Sequence, residues 1–298
     1  TITPQPERLV WLVQPQGGPY IQLQPKRQKQ NAKGQWSKGR NVSLDRLFYH
    51  ARNMAFLDEA DQRIVNCLQH FYSSFSGGWY NFDSLKVLPQ LVGHPRLFLM
   101  SDPSRPLEFV QGEPEISVVK SGDSYRLSMN PELGEQSLDL IQETQSRFKV
   151  LHIREEHKRI AAILGSSSFS VPKAGYQELV QTVSKLSGLV TIHSDIQDQV
   201  DDVLQVAADP RPCLHIIPSG NGFRVDMIVK PLGESGPLLK PGVGRVSLMA
   251  EAQGRRMQTS RDLEQEKQRA RAVEQACPSL SIFAEEDRTW IVPYPEDC

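Results

Sequence analysis

The 298-residue chain has few cysteines and no long apolar run, and these absences argue against several classes of protein. Its four cysteines, Cys67, Cys213, Cys277 and Cys298, lie far apart and form no Cys-x-x-Cys pair. Structural zinc sites need thiolates or imidazoles at short spacing, and small secreted domains need dense disulfides. No apolar stretch approaches the roughly 20 residues that a membrane helix needs. We therefore expect a cytoplasmic protein with reduced cysteines and no membrane contact.

Complete catalytic motifs are also missing. Residues 57–61 spell LDEAD, the acidic box of a helicase, but no Gly-Lys-Ser/Thr phosphate-binding loop precedes them. Asp58 and Asp61 are spaced instead as a cap on a helix that begins there, where carboxylates accept hydrogen bonds from free N–H groups. The seven histidines never recur at metal-ligand spacing, and no Gly-x-Ser-x-Gly elbow is present. We expect no catalytic residue, no metal site and no cofactor in this segment.

A glycine-rich segment at residues 233–245 invites comparison with a phosphate-binding loop. Pro237 and Pro241 interrupt its series of N–H donors, and no helix pattern follows it directly. We therefore expect a rigid connection between two hairpins.

Local patterns predict an α+β fold, in which antiparallel hairpins pack with several helices and there is no regular βαβ alternation. Glycine-containing turns predict hairpins at residues 116–129, 213–230 and 246–258. Apolar spacing predicts helices after Ser43, from Asp58 through Tyr72, around residues 85–92, after Pro172, and from Thr259 onward. We divide the chain into a basic region at 1–56, a mixed helix and hairpin region at 57–165, and an α+β region at 166–298. These regions form one or two compact domains.

Basic residues are concentrated at the beginning of the chain. Residues 1–56 contain nine lysines and arginines against two acidic residues, a net charge of +7, whereas the whole chain carries −1. Such an asymmetry favours a polyanion partner or an acidic neighbouring domain.

Within this region, a basic stretch with an interleaved tryptophan is the best candidate for a nucleic-acid-binding site. Flexible cations neutralise phosphates and release counterions, and an exposed aromatic ring stacks on a base. The alternative is a solvated loop whose tryptophan packs onto its own domain. The candidate residues are Lys26, Arg27, Lys29, Lys33, Trp36, Lys38 and Arg40.

Seven short stretches, in this order, resemble the region that precedes the motor core of large bacterial Swi/Snf-type helicase-like ATPases. They are RLVWL at residues 8–12, WSKGR at 36–40, GHPRLF at 93–98, KPLG at 230–233, PGVG at 241–244, RDLE at 261–264 and CPSL at 277–280. The resemblance implies a piece of a longer polypeptide that hydrolyses ATP to move on double-stranded DNA. It transfers no catalytic residue to any position of this chain.

Three functions follow as hypotheses. The first is a non-catalytic accessory segment of a DNA-dependent ATPase, which contacts double-stranded DNA or regulates the ATPase core of the same polypeptide. The second is a protein–protein scaffold domain without nucleic-acid contact. The third is an independent metal-dependent enzyme, such as a nuclease that uses carboxylates scattered in the sequence.

Overall fold

The computed structural model describes residues 6–74, 77–165, 169–196 and 202–294. The α-helices are α1 (Leu44–His50), α2 (Glu59–Val65), α3 (Ser84–Leu91), α4 (Glu155–Leu164), α5 (Tyr176–Leu186) and α6 (Leu263–Ala276). The first ten strands are β1 (Glu7–Pro15), β2 (Ile21–Lys29), β3 (Arg40–Asn41), β4 (Leu68–Ser73), β5 (Gly77–Phe82), β6 (Leu97–Leu99), β7 (Pro106–Gly112), β8 (Glu115–Ser121), β9 (Ser124–Asn130) and β10 (Leu138–Gln142). The others are β11 (Arg147–His152), β12 (Phe169–Pro172), β13 (Thr191–Ser194), β14 (Leu204–Gln205), β15 (Cys213–Ser219), β16 (Gly222–Ile228), β17 (Ser247–Ala252), β18 (Arg255–Ser260), β19 (Ala284–Glu286) and β20 (Thr289–Pro293).

These strands form an α+β architecture, as the sequence predicts. The first sheet has the order β10-β11-β7-β6-β1-β2-β3, and the second has the order β12-β9-β8-β13-β17-β18-β14. A four-stranded sheet, β15-β16-β20-β19, and the two-stranded hairpin β4-β5 complete the set. The hairpins β8-β9, β15-β16 and β17-β18 lie where the glycine turns predict them. Both seven-stranded sheets also contain parallel pairs, such as β1 with β6 and β13 with β8, so they are mixed.

Two apolar cores hold most of the structure. The first lies on one face of the first sheet, where Trp11 and Phe109 pack with helices α1 to α3. The second lies between the second sheet and helices α4 and α5, and includes Ile192 and Val183. The first sheet takes strands from both sides of residue 56, and the proposed division into three regions stays a prediction.

The predicted helix from Asp58 through Tyr72 is wrong in its second half. Helix α2 ends at Val65, and Leu68 begins strand β4. Leu68, Phe71 and Tyr72 fit a helical stripe at three- and four-residue spacing, but aromatic residues also favour strands, and pairing with β5 decides between them here. The last helix likewise begins at Leu263 and not at Thr259, because strand β18 continues to Ser260 and Asp262 is the N-cap.

A buried ionic network joins the first sheet to the four-stranded sheet. Arg147 on β11 forms ion pairs with Glu108 on β7, at 2.6 Å, and with Asp226 on β16. Arg224 lies 3.0 Å from Glu108 and 3.1 Å from Asp226, and the Thr289 hydroxyl donates to Asp226 at 2.8 Å. Because each carboxylate contacts two guanidinium groups, the network compensates the charges that this junction buries.

Three thiols, those of Cys67, Cys213 and Cys277, are free, whereas Cys298 lies outside the described residues. Burial, and secondarily the carboxylate of Asp83, raises the pKa of the Cys67 thiol. Within the described residues, every helix is too short or too polar to cross a bilayer.

Candidate polyanion-binding site

The basic residues of strand β2 lie on two opposite faces of the first sheet. Side chains alternate along a strand, and Ile21 and Leu23 pack in the first core, so Arg27 and Lys29 follow them on that same face. Lys26 points to the other face. Basic residues that are neighbours in the sequence of β2 therefore lie on opposite faces of the sheet.

Arg27 and Lys29 line a recess of about 510 Å³ at the end of the core face. Arg40 lies directly opposite Arg27 in the pairing of β3 with β2, and Arg46 comes from the first turn of α1. Phe56 forms an apolar wall, with its ring centroid 4.9 Å from the Arg27 guanidinium carbon. We call this the basic recess, and Ser37, Asn41 and Val42 complete its lining.

The charges of the basic recess are only partly balanced. The Glu7 carboxylate on β1 accepts hydrogen bonds from Arg27, at 2.9 and 2.5 Å, and lies 2.9 Å from the Lys29 ammonium. The hydrogen bonds from Arg27 and Lys29 hold the pKa of Glu7 below its ordinary value. Among the described residues, Arg40 and Arg46 form no ion pair with a carboxylate and are exposed. Four cations thus surround an open space, and of these only Arg27 and Lys29 are paired with a carboxylate among the described residues.

Trp36 lies away from the basic recess. It pairs with Gln30 in an isolated bridge, which places it on the even-numbered face of β2, and the Arg8 guanidinium carbon lies 4.0 Å from its ring centroid. Arg8 also donates to Gln28 at 2.9 Å and to Asn221 at 2.6 Å. Burial and the neighbouring Arg96 lower the pKa of Arg8 to about 10, so Arg8 remains a cation at neutral pH. The Trp36 ring is half-buried beneath the Arg8 guanidinium.

The seven residues predicted from sequence thus fall into three groups. Arg27, Lys29 and Arg40 meet at the basic recess. Lys26 and Trp36 belong to the opposite face of the sheet. Lys33 and Lys38 lie on the exposed connection between β2 and β3.

Sequence reasoning missed Arg46 and Phe56 as members of the site. Arg46 belongs to helix α1, and Phe56 follows a short 3-10 turn after that helix. Neither residue belongs to the basic stretch in sequence. The period-two alternation of β2 is the sequence signal that separates Lys26 from Arg27 and Lys29.

The acidic box at Asp58 is a helix cap, as expected. Asp58 accepts from the Asp61 N–H at 3.0 Å, and Asp61 accepts from the Asp58 N–H at 3.1 Å, a reciprocal capping box. Asp61 is fully buried and also accepts from the Trp11 indole at 2.9 Å. Arg96 donates to Asp58 at 2.6 Å and to Asp61 at 2.9 Å.

His94 completes the surroundings of Asp61. Its Nδ1 accepts from the Arg96 N–H at 3.2 Å, so its Nε2 carries the proton that faces Asp61, also at 3.2 Å. Potential ligand atoms of Asp58, Asp61 and His94 lie within 4.8 Å of one another, a spacing that could hold a metal ion. However, protein donors already contact all four carboxylate oxygens, one of them the cationic Arg96. These residues therefore form a structural joint between α2, β1 and β6.

Searches of protein-family models, curated proteins and solved structures find no match to this chain.

Proposed function

We propose that this chain is a non-catalytic module that binds the phosphate backbone of nucleic acid in the basic recess. The observation that supports it is the placement of Arg40 opposite Arg27, with Arg46 beside them and no carboxylate paired with Arg40 or Arg46 in the described part of the chain. Like charges directly opposite in a sheet are unfavourable unless a counter-charge is supplied, and Glu7 supplies one to Arg27, whereas no described carboxylate pairs with Arg40. A phosphate supplies that charge, and guanidinium groups match its geometry through paired N–H donors.

A salt titration with duplex DNA tests this proposal. Fluorescence anisotropy should detect binding that weakens as salt rises, because phosphate contacts release counterions. In the Arg40→Ala/Arg46→Ala variant, we expect lower affinity and a slope of log affinity against log salt that is shallower by about 2, about 0.9 for each lost contact. Arg126 and Lys185 are exposed cations on β9 and α5, and Arg126→Ala/Lys185→Ala is the matched control with an unchanged slope.

Two results would contradict the proposal. Wild-type protein that fails to bind duplex DNA even at low salt would exclude direct contact with it. Equal slopes for the recess variant and the control would place the binding elsewhere on the surface.

We further propose that the module serves in the cytoplasm as an accessory segment of a bacterial Swi/Snf-type DNA-dependent ATPase, and contacts the ATPase core of the same polypeptide. Only the ordered resemblance of its short stretches supports this setting. Sequencing the whole reading frame that encodes this chain tests the proposal directly. A Gly-Lys-Ser/Thr loop followed by an acidic box after residue 298 is expected, and a complete frame without that loop would contradict the proposal.

A further inference from the structure

An exposed group of aromatic rings lies on one face of the β4-β5 hairpin. Leu68 and Phe82 are paired at the base of the hairpin and are buried in the first core. Alternation therefore puts His70, Tyr72 and Tyr80 on the same face as Leu68 and Phe82. His70 stacks on Tyr80, with ring centroids 4.7 Å apart. Gly78 opposite Tyr72 leaves room for this arrangement, because a Cβ there would lie 2.5 Å from His70 Nε2.

Helix α1 contributes two more rings to this face. The Phe48 ring centroid lies 5.2 Å from that of Tyr80, and the Tyr49 centroid lies 6.0 Å from it. The hydroxyl groups of Tyr49 and Tyr80 are 3.0 Å apart. Despite these contacts Tyr49 is 62% exposed, and Tyr72, on the same face of the hairpin, is 77% exposed. We call Phe48, Tyr49, His70, Tyr72 and Tyr80 the aromatic surface.

The aromatic surface and the basic recess meet on helix α1. Arg46 lines the basic recess, and Tyr49 follows it by three residues in the same helix. Residues three apart are neighbours on a helix surface, about 5–6 Å between Cβ atoms. That distance is comparable to the spacing of one nucleotide along an extended strand. A nucleic-acid strand with a phosphate at Arg46 would therefore have its next base beside Tyr49.

From this juxtaposition we infer that the aromatic surface stacks unpaired bases of a single-stranded nucleic acid whose phosphates occupy the basic recess. The inference rests on the proposed function and specifies the form of nucleic acid preferred. Exposed rings beside a cationic groove are how proteins hold single strands without reading sequence. In a duplex the base faces are already stacked on one another, so a duplex gains only the phosphate contacts.

The opposite face of the same hairpin provides a matched control. Phe71 and Trp79 are a cross-strand pair on that face, with ring centroids 5.7 Å apart and planes at 16°. They are 37% and 45% exposed, so they also present aromatic surface to solvent, although less of it than Tyr49 and Tyr72 do. They point away from the face that Phe48 and Tyr49 cover. If any exposed aromatic ring on the hairpin could bind the nucleic acid, both faces would contribute. Base stacking on the aromatic surface uses only one face.

The experiment compares anisotropy of a labelled single strand of about 20 nucleotides with that of the matching duplex. Four proteins are used: wild type, Tyr49→Ala/Tyr72→Ala, Phe71→Ala/Trp79→Ala and Arg40→Ala/Arg46→Ala. Tyr72→Ala alone is added because this exposed side chain can be removed with little effect on packing. Circular dichroism confirms that each variant is folded.

We expect tighter binding of the single strand by wild type. Tyr49→Ala/Tyr72→Ala should lose at least about fivefold in single-strand affinity, and Tyr72→Ala should lose part of it. Neither variant should change duplex affinity, and Phe71→Ala/Trp79→Ala should bind both forms as wild type does. Single-strand affinity unchanged in both tyrosine variants, or lost instead in Phe71→Ala/Trp79→Ala, would overturn the inference. If wild type binds neither form, or Arg40→Ala/Arg46→Ala binds as wild type does, the proposed function itself fails.

Discussion

Arg261 and Glu266 form a fully buried ion pair, with Nη2 to Oε2 at 2.6 Å and Nε to Oε1 at 3.0 Å. Arg261 also donates to the carbonyl oxygens of Lys240 and Val243, and Glu266 accepts from the Gly242 N–H. The pair therefore fixes the glycine-rich connection between β16 and β17. This connection joins the hairpins β15-β16 and β17-β18, as its sequence predicts.

Removal of one partner of this pair should be costly. We expect Arg261→Met to lower the free energy of unfolding by about 3–5 kcal/mol, because Glu266 would remain buried without its counter-charge. Urea unfolding measures the change. Arg271→Met, on the exposed side of the following helix α6, is the control and should stay within about 0.5 kcal/mol of wild type. A loss below about 1 kcal/mol for Arg261→Met would show that the pair does not anchor the connection.

The capping box predicts unequal effects for its two aspartates. Asp58→Ala should cost about 1 kcal/mol, the usual value for an N-cap. Asp61→Ala should cost about 3 kcal/mol or more, since it leaves Trp11, His94 and Arg96 without their buried acceptor. A paired carboxylate site for Mg²⁺ would instead make both substitutions abolish a metal-dependent rise in melting temperature. Thermal unfolding with Mg²⁺ and with EDTA distinguishes the two, and we expect the same midpoint in both.

The junction around Asp226 should make the fold sensitive to acid. Burial raises the pKa of Asp226, but the nearby Arg224 and Arg147 and the Thr289 hydroxyl outweigh burial and hold the pKa below its ordinary value. A carboxylate with a depressed folded-state pKa stabilises the fold above its unfolded pKa, about 3.9, and this contribution is lost as pH falls through the folded value. The free energy of unfolding should therefore decrease as the pH is lowered below about 4.

Urea midpoints measured from about pH 7 to about pH 3 test this dependence. Asp226→Asn should be less stable than wild type at neutral pH, and its stability should fall less steeply on acidification, because the titrating group is gone. Parallel curves for the two proteins would show that other carboxylates account for the acid sensitivity.

Gly222 should tolerate no side chain. A Cβ at this position would lie 2.1 Å from the Val292 carbonyl oxygen, in the pairing of β16 with β20. Gly222→Ala must therefore separate these strands, and we expect a loss of about 2 kcal/mol or more in the free energy of unfolding. Gly134→Ala has nothing within 4 Å of the new methyl group and is the control. Equal unfolding midpoints for the two variants would contradict the prediction.

Local signals predicted much of the secondary structure. The turn residues at Gly122, Gly220 and Gly254 identify three hairpins, and Asp58 identifies the beginning of α2. Turn glycines and helix caps determine the structure of residues that are close together in the sequence. The pairing of β1 with β6 was not predictable in the same way, because Trp11 and its partner Leu97 are 86 residues apart and no local pattern links two strands at such a separation.

The site was predictable only in part. The basic stretch includes Arg27, Lys29 and Arg40, yet Arg46 joins them from outside that stretch, because α1 begins shortly after β3 and its first turn lines the same recess. Three of the short stretches that carry the family resemblance, RLVWL, GHPRLF and RDLE, make structural contacts. Trp11, His94 and Arg96 surround Asp61, and Arg261 holds the glycine-rich connection. Short sequence stretches whose residues make structural contacts indicate a fold more directly than an activity.

The turn that joins β15 to β16 rests against the first sheet. The Gly220 N–H donates to the Pro95 carbonyl oxygen at 2.9 Å, and a Cβ at Gly220 would lie 3.2 Å from Phe98. Together with the Arg147 contact to Asp226, this contact makes the β15-β16 hairpin part of the support of the first sheet. The basic recess is consequently not a portable module. We therefore expect a chimera or minimal fragment that carries the recess to need the β15-β16 hairpin as well, in the same chain or as a second polypeptide.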